Sequence, residues 1–494
     1  MRHSPQKCGE KAGPVLLVQQ QEEKNETMTD MQIKQIVDIV KTGRVLTDES
    51  DRFSYSFDAS FGTFLPDAVI QTKNVEEVAE LVKFANREKI PVYPRGQSTS
   101  LSGGPLPVKG GMVIDLSVMN DLLEIDEEDL VAVVSPGVLT ADIHKAAEAK
   151  GLMYPPDPSS SHVSTIGGNL AENSGGPRGL KYGVTKDYVI GLEVITPEGE
   201  IIRTGGRTVK NVTGYDLTKL IVGSEGTLGI ITKAILRLIP KPPASETVMA
   251  VFDSLVDAGR AISQILTSGI LPSKMELMDQ ASMVAVENYQ PSGLPTDAEA
   301  LILIELDGHP MAVRDEAEQV SQVCKQIGAR EVRVPQTKAE KEDVWKARKL
   351  VSPAIVRVKP TKISEDATVP RSKIPEMCRR LQEIKEKYNI HLVVFGHVGD
   401  GNLHPNIIAD KADKEEMARV EKAVAEIFEA AVQLGGTLSG EHGIGTMKAP
   451  FMEMELGAAG LDMMKRIKQA WDPHNIMNPG KIFPEPGQKL VLSE

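Results

Sequence analysis

Apolar residues recur along this chain in two rhythms, and the change from one to the other divides it. From Met31 to Val40, Ile33, Ile36, Val37 and Val40 fall at helical spacing and predict a short leading helix. Ala68 to Gln71 reads as a strand. Asn74 then caps a helix whose Val75, Val78, Leu81, Val82 and Ala85 share one face, with Glu77 placed for a capping box. Strands follow at Pro91 to Tyr93, Met112 to Leu116 and Val131 to Ser135, then a helix from Ala141 to Ala149. A hairpin joins Val189 to Ile195 with Glu200 to Arg203 through Pro197-Glu198-Gly199. Prolines 240, 242 and 243 mark a boundary. Beyond it, strands alternate with longer amphipathic helices: strand Val248 to Phe252, helix Ser254 to Thr267, strands Lys274 to Leu277 and Leu301 to Leu306, helix Ala312 to Ile327. A looser second round has a strand at Glu331 to Val334 and helices at Lys338 to Leu350, Lys373 to Tyr388 and Glu415 to Leu434. This order predicts an antiparallel sheet covered on one side by helices, two ferredoxin-like halves joined. A short helix, Leu461 to Trp471, precedes Asn475-Ile476-Met477-Asn478-Pro479-Gly480-Lys481.

The first half is interrupted by glycine-rich stretches. Pro94-Arg95-Gly96-Gln97-Ser98-Thr99-Ser100, followed by Leu101-Ser102-Gly103-Gly104, comes directly after a strand. Small residues there let backbone N–H groups approach an anion, so a phosphate cradle competes with a plain turn. Residues 155 to 183 show no periodicity, and a loop of that length is either functional or disordered. Ile166, Leu170 and Tyr182 favour order, hence a backbone wall around a large ligand. A third stretch is Gly223 to Ile230.

The second half carries the candidate chemistry. In His391 to Asn406, the β-prone run Leu392 to Phe395 leads to Asp400-Gly401, a dipeptide suited to a two-residue hairpin. Centred there, the hairpin pairs Val398 with Leu403 and sets His397 opposite His404, with Phe395 and Asn406 further out on the same face. Two imidazoles so placed can share a metal ion or simply be hydrogen-bonded residues. The turn Ser439-Gly440-Glu441-His442-Gly443 could supply a third ligand and a base.

At 494 residues the chain needs two or three cores. Its net charge of −13, with no basic cluster, argues against a nucleic-acid partner. Three scattered cysteines, Cys8, Cys324 and Cys378, cannot hold an iron-sulfur cluster and suit a reducing, cytoplasmic setting. No apolar run is long enough to span a membrane. Residues 1 to 30 read as a polar flexible tail, with Met28 or Met31 a candidate start. No GxGxxG follows a strand, which argues against a Rossmann NAD site.

Taken in order, PRGQSTSLSGG, TIGGNLAENSGG, GSEGTLGI, GHVGDGNLHPN, SGEHGIG and NIMNPGKI resemble the FAD-linked oxidoreductases of the vanillyl-alcohol oxidase and p-cresol methylhydroxylase superfamily. The nearest branch is that of D-lactate dehydrogenase and the FAD subunit of glycolate oxidase. The resemblance implies an α+β protein with a two-part FAD-binding domain at 45–243 and a ferredoxin-like substrate (cap) domain at 244–438. The tail and leading helix, 1–44, precede these, and a segment, 439–494, is expected to return to the FAD domain. The resemblance assigns Pro94, Arg95, Gly96, Gln97, Ser98, Thr99, Gly103 and Gly104 to the FAD pyrophosphate. Pro156, Asp157, Thr165, Gly168, Asn169, Asn173, Gly175, Gly176 and Tyr182, then Glu225, Gly226, Gly229 and Ile230, fall to the rest of the cofactor, with Asn478 closing over the flavin. Gln97 and Ser98 stand where some relatives carry a flavin-linking histidine, so noncovalent FAD is expected.

The resemblance also assigns a divalent metal, Zn, Mn or Fe, to His397, His404 and Glu441, and the role of base to His442. Arg348 and Lys362 become contacts for a substrate carboxylate, with Ser352 and Asn406 beside them. The implied reaction is oxidation of a small D-2-hydroxy acid, D-lactate or glycolate, to the 2-oxo acid. Electrons would pass to a separate protein: an iron-sulfur subunit, an electron-transfer flavoprotein or a quinone-linked chain, which would place the enzyme at the membrane only through a partner. Two rivals stand beside this: a metal-free flavin oxidase of alcohols or phenols on the same fold, and a metal-dependent protein with no redox role.

Overall fold

The computed structural model describes residues 27–488, 490 and 492. The first 26 residues of the expected tail, Cys8 among them, lie outside the described residues.

Three of the four strands of the first sheet, Ala68–Gln71, Met112–Asp115 and Val92–Arg95, are parallel, and Arg44–Leu46 adds an antiparallel edge. The helix Val75–Glu88 packs Val78, Leu81, Val82 and Ala85 against them, with Asn74 accepting from the Glu77 amide as its cap. The reciprocal half of the capping box does not form. The Thr72 hydroxyl accepts the Asn74 amide instead, which frees the Glu77 carboxylate to accept the amides of Lys41 and Thr42 and tie down the end of the leading helix Asp30–Ile39.

The second sheet is antiparallel, in the order Leu122–Asp126, Val131–Val134, Ile230–Arg237, Val189–Ile195, Ile201–Gly205. Its central strand, Ile230–Arg237, emerges directly from the third glycine stretch. Residues 155 to 183 are not a bare loop: Ile166–Glu172 and Gly179–Tyr182 are helical. Two glycines hid the first helix, which buries Ile166 and Leu170 and ends at Asn173 with φ 58°.

Seven strands form the third sheet in the order Glu331–Arg333, Ala244–Phe252, Ala300–Gly308, Lys274–Asp279, His391–His397, Asn402–Ala409, Thr361–Ser364, with Ala367–Thr368 also on Asn402–Ala409. Every pairing is antiparallel. Numbered within its own half, the first unit runs 4-1-3-2, the ferredoxin-like arrangement. The halves join through their second strands, Leu277 opposite Gly396 and Met278 opposite Phe395.

Helices cover both faces, not one. Leu255–Thr267, Pro310–Ile327, Ile374–Tyr388 and Lys414–Gln433 pack on the face carrying Leu277, Ile302, Val394 and Leu403. Gln280–Tyr289, Lys338–Lys349 and Val351–Ile355 cover part of the other, over Met249, Met278, Leu303 and Val393. Strand side chains alternate, so the uncovered remainder of that second face presents Thr247, Glu276, Glu305, His397, His404 and Lys362 instead of apolar residues. That polar patch is the floor of the site. The C-terminal helix Met452–Trp471 is longer than expected and kinks at Gly457. Met477 then bridges to Val92, which returns the chain to the first sheet.

Candidate active site

One cavity of about 1050 Å³ runs between the glycine loops and the polar patch of the third sheet. That is at the upper end of the roughly 300–1,000 Å³ typical of cofactor and small-molecule sites.

Its first wall is backbone. Pro94 to Leu101 lines the cavity, and among the described residues none of the amides of Gln97, Ser98, Thr99, Ser100 and Leu101 donates a hydrogen bond within the protein. Amides left unspent along the lining of a cavity are donors that an anionic group can use. A Cβ on Gly96 would lie 2.2 Å from the Thr165 hydroxyl oxygen. The hydroxyl of Thr165, Oδ1 of Asn478 and Oε2 of Glu172 are buried without partners beside the same space. These orphaned groups fit a polar dinucleotide. Arg95 lines the cavity, but its guanidinium is committed to the carbonyls of Tyr55 and Phe57.

The second wall is side chains. The hairpin turn spans four residues, Val398 to Gly401, so His397 pairs with Asn402 and Phe395 with His404. The expected register is therefore wrong by two residues: the Asp400 and Gly401 amides turn back to the carbonyls of His397 and Val398, drawing Val398 and Gly399 into the loop. A shift of two preserves the face. His397 and His404 become diagonal neighbours, ring centroids 4.9 Å apart, and Nε2 of each lies 3.2 Å from Oε1 of Glu441. The ligand atoms of the three lie within 4.8 Å of one another.

Glu276 stands behind them, its Oε1 2.5 Å from His397 Nδ1 and its other oxygen 2.6 Å from Arg348 Nη2. Burial alone would depress the His397 pKa, but Glu276 and then Glu441 overcome it and hold the imidazole well above its ordinary value. Burial opposes ionisation of Glu441 too, yet His397 and His404 keep it well below the usual carboxylate range. The cluster therefore demands positive charge between two carboxylates. Two imidazoles and a carboxylate, one imidazole backed by a second carboxylate, are a donor set that suits a divalent cation.

Beside it, the His442 ring stacks on His404 with centroids 5.2 Å apart and planes 5° from parallel. Burial, against the pull of Asp366, brings its pKa down to about 4, so it is a neutral imidazole near pH 7. The turn carrying it is the seam of the molecule. Asp366 accepts the amides of Gly440, Glu441 and His442, Glu225 accepts those of Ile444 and Gly445, and Ser102 donates to the His442 carbonyl. Arg348 lies over the Phe395 ring at 4.7 Å, and Lys362 donates to the Ser352 hydroxyl at 3.1 Å. Burial lowers the Lys362 pKa.

Of the residues singled out from sequence, Pro94 to Thr99, Gly104, Asp157, Thr165, Gly168, Asn169, Glu225, Gly226, Gly229, Asn478 and all the chemical group except Asn406 line this cavity. Asn406 is buried, donating to the His404 carbonyl. Gly103, Pro156, Asn173, Gly175, Gly176, Tyr182 and Ile230 stand behind the wall. Asn173 caps a helix, Gly175 backs Glu441, and Tyr182 donates to Asp307 of the third sheet. Sequence reasoning missed Glu276, an isolated acid in an ordinary strand, Asp366, an acid in the break between two short strands, and Glu172, whose neighbours in TIGGNLAENSGG it did name. The parity of Glu276 with the apolar Met278 on one strand was the only signal available.

A long cavity with an anion cradle along one wall and a cluster of ionisable groups on the other defines a cofactor-dependent enzyme. The FAD binding domain family matches residues 66–205, and the FAD linked oxidases, C-terminal domain family matches 241–482. The chain is 50% identical over 444 residues to glycolate oxidase subunit GlcD of Bacillus subtilis (strain 168), covering 90% of this chain and 94% of that one. It is 35% identical over 464 residues to D-lactate dehydrogenase of Anaerostipes hadrus, covering 92% and 98%. The fold matches p-cresol methylhydroxylase with a TM-score of 0.75 at 19% identity, over 92% of this chain and 96% of that structure. The chain belongs to the FAD-linked oxidoreductases that include these glycolate oxidase subunits and D-lactate dehydrogenases.

Proposed function

We propose that this protein oxidises a small D-2-hydroxy acid, glycolate or D-lactate, to the 2-oxo acid with noncovalent FAD and a divalent cation at His397, His404 and Glu441. The observation that carries this reading is the convergence of that ligand trio, the His442 imidazole stacked beside it and two basic side chains on the wall facing the glycine loops.

Arg348 and Lys362 bind the substrate carboxylate. Arg348 does so with the donors that its ion pair to Glu276 leaves free, and Lys362 is unopposed by any carboxylate among the described residues. Phe395 under Arg348 restricts the guanidinium to one plane. His442 accepts the hydroxyl proton at Nε2, since its Nδ1 faces Asp366. The cation supplies Lewis acidity that favours loss of that proton. Bound FAD would supply a two-electron acceptor in this cavity. The glycine loops and Asn478 would hold the cofactor, and the helix Lys338–Lys349 lines the substrate end of the cavity.

Reduced flavin requires an electron acceptor. Cys324 and Cys378 are buried free thiols, so this chain offers no cysteine set for a cluster of its own. Both the Bacillus subtilis and the Escherichia coli (strain K12) relatives are named as subunits, which supports a partner protein as acceptor. Among the described residues no helix is long and apolar enough to cross a membrane, so any membrane association is proposed to run through that partner.

Anaerobic mixing of the FAD-loaded protein with D- and L-2-hydroxy acids tests the reading. Bleaching of the flavin by glycolate or the D-acids, abolished by chelation and restored by added divalent metal, is the expected result. Bleaching by a phenol alone, or no effect of chelation, overturns it.

A further inference from the structure

Asp366 lies between the strands Thr361–Ser364 and Ala367–Thr368, which both pair with Asn402–Ala409. The register is continuous across the break, Ser364 opposite Asn406 and Ala367 opposite Leu403, so Asp366 falls opposite His404 on the face that carries Lys362. It is fully buried.

One oxygen, Oδ2, accepts the amides of Gly440 and Glu441 at 2.7 Å and of His442 at 3.1 Å. The other, Oδ1, pairs with the buried Lys448 ammonium and faces His442 Nδ1 at 3.6 Å, while the Ser439 hydroxyl lies 3.3 Å from both oxygens. His442 Nδ1 is buried and makes no hydrogen bond within the protein, with Asp366 Oδ1 at 3.6 Å the carboxylate oxygen it faces. Because the ring is stacked flat on His404, its in-plane orientation is decided at its edges, and the Nδ1 edge meets a carboxylate.

We propose that Asp366 is the positioning residue of the site: its carboxylate fixes the His442 ring with Nδ1 protonated and Nε2 open, and holds Glu441 through the backbone of the same turn. The part concerning catalysis rests on the function proposed above; the tautomer does not. The alternative, a structural staple for the turn, makes a different prediction for Asp366→Asn. The asparagine oxygen must still accept the three amides, so its NH2 is left facing His442 Nδ1. A donor there requires an acceptor, which moves the ring proton to Nε2 and removes the base while the turn survives.

The test uses the full-length, FAD-loaded protein with 15N-labelled histidine rings, His442 being assigned by His442→Gln. The expected result is Nδ1–H in the wild type and Nε2–H in Asp366→Asn. The limiting rate of flavin reduction should fall by about 10²–10⁴-fold, the range of general-base catalysis, with KM changed less than about threefold. In a His442→Ala background the same substitution should cost almost nothing further. Lys448→Met combined with Asp366→Asn relieves the orphaned ammonium if the single variant folds poorly, and carries the same expectations. An unchanged His442 tautomer in Asp366→Asn, or an equal rate loss in both backgrounds, overturns the proposal. A tautomer that switches in a protein whose flavin no hydroxy acid reduces would sink the proposed function and leave the positioning role of Asp366 standing.

Discussion

The two ferredoxin-like halves of the third sheet share a topology and end differently. In the first, the chain leaves the helix Pro310–Ile327 and completes a fourth strand, Glu331–Arg333, paired with Met249 to Val251. In the second, the chain leaves the helix Lys414–Gln433 at the corresponding point and makes one bridge, Thr437 to Thr368, before turning into Ser439 to Gly443. Glycine permits the departure. A Cβ on Gly436 would lie 2.0 Å from the Thr368 carbonyl oxygen, and one on Gly440 2.2 Å from the Thr368 hydroxyl. Amides that a fourth strand would spend on its neighbour go to the Asp366 carboxylate. One half thus closes a sheet edge, and the other uses the same place to deliver Glu441 and His442. The proposed chemistry sits where the repeat breaks.

The largest loss should follow removal of what only the second half supplies. Glu441→Gln or His404→Ala should reduce the rate of flavin reduction by roughly 10³-fold, as expected from losing several kcal/mol of charge stabilisation. FAD content should be unchanged and bound divalent metal lost, read by absorbance and elemental analysis of the same preparation. A variant that keeps its metal would detach the turn from the cluster.

The seam between the halves gives the next effect. Asp279 accepts the Val394 amide where the pairing of Lys274–Asp279 with His391–His397 stops, and it also caps the helix Gln280–Tyr289. Burial pushes its pKa from 3.8 up to about 6. Between pH 4 and 6 the folded protein keeps a proton that the unfolded chain has released, so stability falls as pH rises through that window, by about 3 kcal/mol for this group. Asp279→Asn should flatten the slope of unfolding free energy over that range. An unaltered slope would mean the carboxyl is already ionised in the folded state.

The difference between the halves also sets what the sequence reveals. Glycine loops are legible because close backbone approach imposes a residue type locally, and His397 and His404 because one hairpin carries both and strand parity assigns the face. Their register was not legible: Asp400-Gly401 suits a two-residue turn, and the longer one combines the local bonds of the Asp400 and Gly401 amides with tertiary hydrogen bonds, such as Val369 to the Gly401 carbonyl, that no local pattern encodes. Ile166–Glu172 was masked by its two glycines, and Ile230–Arg237 by the glycine run before it. Glu276 and Asp366 reach the site through pairings with residues 121 and 76 positions away, which no local pattern encodes.

Glu276 is the first half's direct contact with the trio proposed to hold the cation, so Glu276→Gln measures how far the division of labour is complete. It keeps the shape of the side chain but removes the charge behind His397. Loss of such an outer partner costs about 10–100-fold in metal affinity or activity. Titration of the metal-free protein with Zn²⁺ reads that loss without turnover, and an affinity equal to wild type would confine the site to the second half.

The smallest effect sharpens the contrast most, because it isolates the edge strand from its counterpart. Val332 lies opposite Ala250 and packs, partly exposed, against the core under Pro310–Ile327. Val332→Ala removes about 1 kcal/mol of packing, which in a unit of this size lowers the melting temperature by about 2–4 °C. Flavin content, metal content and turnover should not change. Gly436→Ala, at the corresponding point of the second half, drives a Cβ into the Thr368 carbonyl and should lower both melting temperature and turnover, since the displaced backbone carries Glu441 and His442. If Val332→Ala impairs turnover in the same proportion to stability as Gly436→Ala, the two ends respond as one cooperative sheet and the separation of roles fails. If only Gly436→Ala departs from that proportion, the fourth-strand position has been given over to catalysis in one half alone.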